Sequence, residues 1–346
     1  MDNRMRNENT RKNILSLDGG GVRGLSTLLI LQKIMDRLNS DRRRSGRNEV
    51  KPCDVFDLIG GTSTGGLIAI MLGRLKMNIQ DCLEVYTGWM GSIFKPKHWI
   101  RVGWTGQIIS KYDSEKLENA IKDVLKRVQL PYDALLKPHQ DEERPRSDVF
   151  VCAAPSSGSA IHCFRSYTSD RSAFNEDATI VEAALATTAA TGYFDAVTTI
   201  NGQFVDGGIY ANNPVEEAEI EAIHKWCHGT ESLKGKTNCF ISIGTGKLDD
   251  RTIEKFFIRF FRKTLVAIAT ETEYTAEKHI ERWQNAYTEK RYFRFNVNEG
   301  LKGVGLEDYN KEQEIKQATG YYLTGAGVRV AIEDCAHALS VEESSH

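Results

Sequence analysis

Three short glycine-bearing segments carry the residue types that acyl transfer needs. The first is Gly61-Thr62-Ser63-Thr64-Gly65, which follows the apolar run Val55 to Ile59 and leads into another, Leu67 to Leu72. Strand, sharp turn and buried helix form the setting in which G-x-S-x-G makes a nucleophile elbow, pushing Ser63 out where a substrate carbonyl can reach it. The same letters also suit an ordinary Gly/Ser/Thr turn. The second segment is Asp18-Gly19-Gly20-Gly21-Val22-Arg23-Gly24, between a strand candidate at Ile14–Leu17 and a helix. A glycine-rich turn at a helix N-terminus presents backbone N–H groups to negative charge. In acyl transfer that charge is the oxyanion of the tetrahedral intermediate, and Gly20 and Gly21, with the N–H of Thr64 behind the serine, could receive it. Losing one such donor costs about 10²–10³-fold in rate. The spacing Gly19-x-Gly21-x-x-Gly24 also matches a dinucleotide fingerprint. That reading needs an acidic residue about 20 positions on, at a second strand end. Asp36 and Asp41 fall instead in a predicted helix and a basic loop.

A serine nucleophile needs a base. Of the eight histidines, His224, His228 and His279 follow Asp206, so the order serine, acid, histidine is present. None sits at a predicted strand end: His224 and His228 flank Trp226 in a predicted helix, and His279 lies in a charged one. The third segment, Asp206-Gly207-Gly208, does end a short strand, Gln203 to Val205, where a base should stand. Aspartate is also a common turn former, so this segment alone does not decide.

The elements that must position these residues alternate. Strands are predicted at 14–17, 55–59, 149–153, 161–167, 203–205, 239–243 and 291–297. Helices are predicted at 25–38, 67–73, 114–128, 179–190, 215–227, 252–285, 310–322 and 325–339. Strands ending in glycine turns and followed by helices predict a mostly parallel sheet with helices on both faces, and function in such sheets gathers at the carboxyl ends of strands. The 346 residues carry a net charge of −2, which gives no global field for nucleic acid or anionic lipid. Seven scattered cysteines without a C-x-x-C pair fit free thiols in a reducing compartment. The polar first twelve residues read as disordered and carry no apolar signal segment, and no run approaches the about 18 apolar residues of a membrane span. These features predict a cytoplasmic, soluble protein.

Taken in order, D-G-G-G-x-R-G at 18–24, G-x-S-x-G at 61–65 and D-G-G at 206–208 resemble the patatin-like phospholipase family. Asn212-Asn213-Pro214, the strand-like Cys239 to Ile243 with Gly244-Thr245-Gly246, and Ala183 to Phe194 are also similar to family segments, although Thr191 stands where a proline is usual. The resemblance covers about 13–248, and 250–340 resembles the helical end of intracellular, fungal-type members. It implies one α/β domain over 13–340, three-layered α/β/α, with a helical C-terminal region. It further implies a lipid acyl hydrolase working through a Ser63–Asp206 dyad with no histidine, where Ser63 attacks and Asp206 manages protons. The backbone of Gly20, Gly21 and Thr64 would form the oxyanion hole, with Gly19 and Arg23 in support and Gly24, Gly61, Gly65, Gly207 and Gly208 shaping the turns. An ordinary aspartate, with a pKa of about 3.9, is a poor base near neutrality, so Asp206 is expected to be partly buried. Asp18 is expected to fix the loop, and Arg23 to steady it, the alternative being that Arg23 lies near the oxyanion.

The resemblance implies a phospholipid or other acyl-lipid substrate and no nucleic acid. No D-x-D-x-D-G calcium loop is present, so no cofactor or metal is expected. Two segments mix aromatic and basic residues in the manner of a membrane surface, 89–104 and 253–266, though a core-facing helix has the same composition. Family domains are often fused to downstream regulatory domains, and a module that keeps the fold but lost the chemistry is the alternative to an enzyme.

Overall fold

The computed structural model describes residues 11–95, 110–139, 141–143, 145–158, 160–170, 177–247 and 259–340, of which 259–267 as backbone alone. Its centre is an eight-stranded sheet: β1 (Lys12–Leu17), β2 (Leu58–Thr62), β3 (Asp148–Pro155), β4 (His162–Arg165), β5 (Val197–Thr199), β6 (Gly202–Asp206), β7 (Thr237–Ile243) and β8 (Tyr292–Phe295). The order is β5-β6-β3-β2-β1-β7-β8, with β4 also on β3. The run β3-β2-β1-β7-β8 is parallel, while β4 and β6 pair antiparallel with β3, and β5 with β6.

Side chains alternate along each strand, so the sheet feeds two cores. Leu15, Leu17, Ile59, Val151 and Ile241 point into one, and Ile14, Leu58, Phe150 and Phe240 into the other. Burial of both faces is why these strands read as near-continuous apolar runs. The first core is covered by α1 (Gly24–Arg44), α3 (Thr64–Ala69), α4 (Ile79–Ser92), α5 (Ser114–Arg127), α6 (Ile180–Thr188) and the helices Glu312–Thr324 and Ala326–Ser340. The second is covered by α8 (Val215–Trp226) and by Trp283 and Ala286. The result is the three-layer α/β/α arrangement, with a mostly parallel sheet and a helical C-terminal part.

Three expectations shift. The elbow strand starts at Leu58, because Pro52 at the first helical position and the Asp54 carboxylate, which accepts from Lys51 N–H at 2.8 Å, wind Pro52–Val55 into a short helix, α2. The helix after the elbow changes to a π turn over Ile70–Arg74, where Arg74 ends buried on the Leu135 and Leu136 carbonyls and pairs with Glu142 at 2.7 Å. The basic stretch after residue 40 is not wholly a loop. α1 runs on through Arg44, and buried Arg42 donates to the Asn48 carbonyl at 2.6 Å. Residues 1–10 lie outside the described residues, and Lys12 already belongs to β1.

Candidate active site

The register of the sheet brings Ser63 and Asp206 together. Thr62, the last residue of β2, pairs with Cys152 of β3, and Asp206, the last of β6, pairs with the next residue, Ala153. β6 is antiparallel, so it is not one of the parallel strands whose carboxyl ends were expected to carry the site. It reaches the same rim because it overlaps β3 only over Ala153–Pro155.

Ser63 sits at φ 55°, ψ −127°, a conformation that costs a non-glycine residue about 1–3 kcal/mol. Its surroundings enforce it. Ser63 N–H donates to Thr187 Oγ1 at 2.9 Å, and that hydroxyl donates in turn to the Cys152 carbonyl at 2.7 Å. Thr62 Oγ1 donates to the Ala211 carbonyl, at the end of the short helix α7 (Gly208–Ala211), at 2.6 Å. The flanking glycines serve close approach. A Cβ on Gly61 would lie 2.2 Å from the Gly65 carbonyl oxygen, and one on Gly65 would lie 2.3 Å from that of Leu17. Both obstacles are backbone, so Gly65→Ala is expected to prevent accumulation of soluble, folded protein. Size-exclusion chromatography and circular dichroism of the purified variant check this.

Asp206 is 5 % exposed. Burial pushes its carboxyl up to about 6, against a hydrogen bond from Ser63 and one from Gly208 N–H at 2.7 Å, both of which favour the charged form. The carboxylate contacts the only residue of the elbow that carries a strained φ, and a carboxyl so raised can exchange a proton near neutrality. Gly207 packs against the Cys152 backbone, where a Cβ would meet the carbonyl oxygen at 2.5 Å.

The glycine loop lies opposite. Gly19 N–H is taken by the Asn212 carbonyl at 2.9 Å, and Gly20 N–H reaches the Thr64 hydroxyl at 3.2 Å. Gly21, at φ 55°, and Thr64 have backbone N–H groups without a protein acceptor among the described residues. Gly24 opens α1. The Tyr86 hydroxyl donates to the Gly21 carbonyl at 2.5 Å, and Leu306 O accepts from Val22 N–H at 2.9 Å, so the peptide between Gly21 and Val22 is held at both ends. Arg23 is 2 % exposed and turned away from the serine. It reaches the Lys247 carbonyl at 3.4 Å, and burial draws its pKa down to about 10 against the charge of Glu273. Asp18 is paired to Arg294 and does not line the cavity.

Ser63, Thr64, Gly20, Gly21 and Asp206 share the wall of one cavity of ≈ 340 Å³. The rest of its lining is mostly apolar and aromatic, including Leu67, Trp89, Ile93, Phe94, Tyr193 and Phe194, with Thr188, Thr191 and Asn212 as its other polar members. That size and character suit an apolar ligand with a few polar groups at one end. Of the segment 89–104, Trp89 and Phe94 are buried and line this cavity, while 96–104 lie outside the described residues, as do 253–258. The side chains of 259–266 are likewise outside the description.

No histidine lines the cavity among the described residues. His224 and His228 are exposed. His279 is fully buried in the opposite layer, stacked on Trp283, and burial draws its pKa down to about 3. Among the described residues no three His, Cys, Asp or Glu side chains gather as a metal site, and no helix is long and apolar enough to cross a membrane. Sequence reasoning missed Thr187, Tyr86 and Arg294, whose contacts with the elbow and loop span 124, 65 and 276 residues.

A strained serine in contact with a buried carboxylate, beside backbone amides and a largely apolar cavity, is an arrangement with the groups that acyl transfer needs. The family model described as patatin-like phospholipase matches residues 15–219, more than half of the chain, and the chain belongs to that family. It is similar to Phospholipase A I of Arabidopsis thaliana, at 27% identity over 85% of this chain and 25% of that protein. It is also similar to human Calcium-independent phospholipase A2-gamma, at 26% over 82% of this chain and 34% of that protein. Patatin-like phospholipase 1 of Plasmodium falciparum is 28% identical over 90% of this chain and 47% of that protein. The chain therefore spans from a quarter to about half the length of these relatives.

Proposed function

We propose that the chain is a lipid acyl hydrolase of the phospholipase A type, working without calcium through a Ser63–Asp206 dyad. The observation that carries this is the contact of Ser63 with a carboxylate of pKa about 6, in the wall of an apolar cavity. Ser63 Oγ attacks the ester carbonyl and Asp206 takes its proton. The oxyanion forms against the Gly21 and Thr64 N–H groups, with Gly20 beside them. Collapse expels the alcohol, which takes the proton from Asp206, and leaves the acyl group on Ser63. Asp206 then deprotonates water, which attacks the acyl-enzyme, and it returns that proton to Ser63 Oγ as the fatty acid leaves. The relatives named as phospholipases, one of them calcium-independent, support the substrate class and action without calcium. The protein acts from the aqueous side on a lipid surface in the cytoplasm.

The base works only ionised, so kcat/KM is expected to fall as pH drops through about 6 and to level off above it. A pH profile with a soluble chromogenic ester checks this; a flat profile from pH 5 to 8 argues against Asp206 as base. Incubation with a mixed phospholipid and galactolipid panel in a calcium chelator, read by mass spectrometry of released acids and lyso-lipids, tests activity and substrate class together. Absence of any released acid from folded protein contradicts the proposal.

A further inference from the structure

The loop that would receive the oxyanion is held by Thr64, Tyr86 and Asn212 from within the segment the family model matches, and also by a set of contacts from outside it. Asp18 opens that loop, and its buried carboxylate meets the guanidinium of Arg294 on β8 in a two-pronged pair, Nη1 to Oδ1 at 2.9 Å and Nη2 to Oδ2 at 2.7 Å. Nη1 also donates to Ser242 Oγ on β7 at 2.8 Å, which sets the plane of the guanidinium. The side chains of Arg294 and Asp18 are 7 % and 1 % exposed. Neighbouring contacts reinforce the clamp: Asp18 N–H donates to the Ile243 carbonyl at 3.0 Å, Thr245 Oγ1 to the Gly19 carbonyl at 3.1 Å, and Val22 N–H to Leu306 O at 2.9 Å. All of these partners lie beyond residue 219.

A pair buried this deeply is close to neutral for stability when compared with apolar residues of the same volume, because desolvation offsets the attraction. What a fork-to-fork contact supplies is geometry, since two parallel hydrogen bonds fix both distance and orientation. The rigid end of that contact is one residue from Gly19 and three from Gly21, whose free N–H lines the cavity. We propose that Arg294 is a positioning residue for ester hydrolysis, which through Asp18 sets the Gly19–Gly21 loop against the oxyanion and makes β7, β8 and the loop to Leu306 an obligatory part of the site. This inference rests on the dyad reading above.

A displacement near 1 Å of such donors can cost about 10²-fold in rate. Arg294→Lys keeps the charge and removes the fork. With p-nitrophenyl butyrate as a monomeric probe, its kcat is expected to fall about 10- to 100-fold with KM within twofold of wild type. Arg165→Lys is the control. Arg165 makes an equally buried two-pronged pair with Glu221, 2.7 Å on each prong, between β4 and α8 and away from the loop, so its kcat should stay within threefold. Wild-type kcat in Arg294→Lys, or an equal loss in Arg165→Lys, overturns the proposal. If Arg294→Lys does not fold, the double variant Asp18→Asn/Arg294→Gln, which leaves no lone buried charge, reads the same loss, and wild-type kcat in it is equally fatal. Ser63→Ala run beside them separates the two readings: activity remaining there refutes the dyad, whereas activity lost there but intact in the Arg294 variants refutes only the clamp.

Discussion

Ser63→Ala is expected to lower the hydrolysis of any acyl ester on the order of 10⁵-fold, the scale seen when a serine nucleophile is removed from a catalytic unit. The fold should be untouched. The Cβ that occupies the elbow remains, and the bond that holds the elbow is made by the backbone N–H to Thr187, which alanine keeps. The oxygen removed contacts Asp206 and faces the cavity. Circular dichroism and a melting temperature close to wild type, together with background hydrolysis, form the expected pair of results. Residual activity near wild type would place the nucleophile elsewhere.

Asp206→Asn is expected to lower activity at least about 10³-fold and to raise stability at the same time. The sign follows from linkage. The folded-state pKa, about 6, lies above the ordinary value of 3.8 for the unfolded chain, so the folded protein binds its proton more tightly. Any stability this supplies is complete below about pH 3.8 and is lost as pH rises through 6. At pH 8 the carboxylate is charged and buried, at a cost on the order of 2–3 kcal/mol that asparagine does not carry. Asparagine keeps an oxygen to accept the Gly208 N–H, which the aspartate accepts at 2.7 Å. Denaturant melts at pH 8 and pH 4.5 should therefore show the variant more stable than wild type at the higher pH, with the gap closing at the lower. A variant that is less stable at pH 8 would mean that the carboxylate is a structural anchor and not a strained base. Such a trade of stability for function is common where a charged group is held ready in a dry site.

Much of this site was legible because it is local. The glycines of 61–65 are dictated by backbone atoms within a few residues of the turn or in the neighbouring strand, and that constraint shows as letters in the sequence. The helix predicted at 114–128 forms as α5, with Asp113 at its N-cap accepting from Glu115 N–H at 3.2 Å. Asp206 was readable only in company, since Asp-Gly-Gly by itself is a turn. What was hidden comes from pairing at long range. Nothing near Val55 in an apolar run announces that Pro52 and Asp54 will wind it into a helical turn. The antiparallel direction of β6 and its short overlap with β3 are set by long-range pairing that no local pattern records. Arg294, Thr187 and Tyr86 are single polar residues in apolar or small-residue segments, and their purpose appears only when the sheet register and helix packing set them against the loop and elbow. The aromatic residues Trp89 and Phe94 had two readings by composition, and the described part of their segment turns them into the cavity.

The central claim is that Ser63 is an activated nucleophile with Asp206 as its base. Covalent labelling with a fluorophosphonate tests it most directly, because the reagent reacts fastest with a serine whose proton is being removed beside an oxyanion site. Intact-mass and peptide mapping should find one adduct per chain, on Ser63, in wild-type protein. Ser63→Ala should give none, and Asp206→Asn should label far more slowly. Folded wild-type protein that stays unlabelled, or that carries the adduct on another residue, would contradict the account.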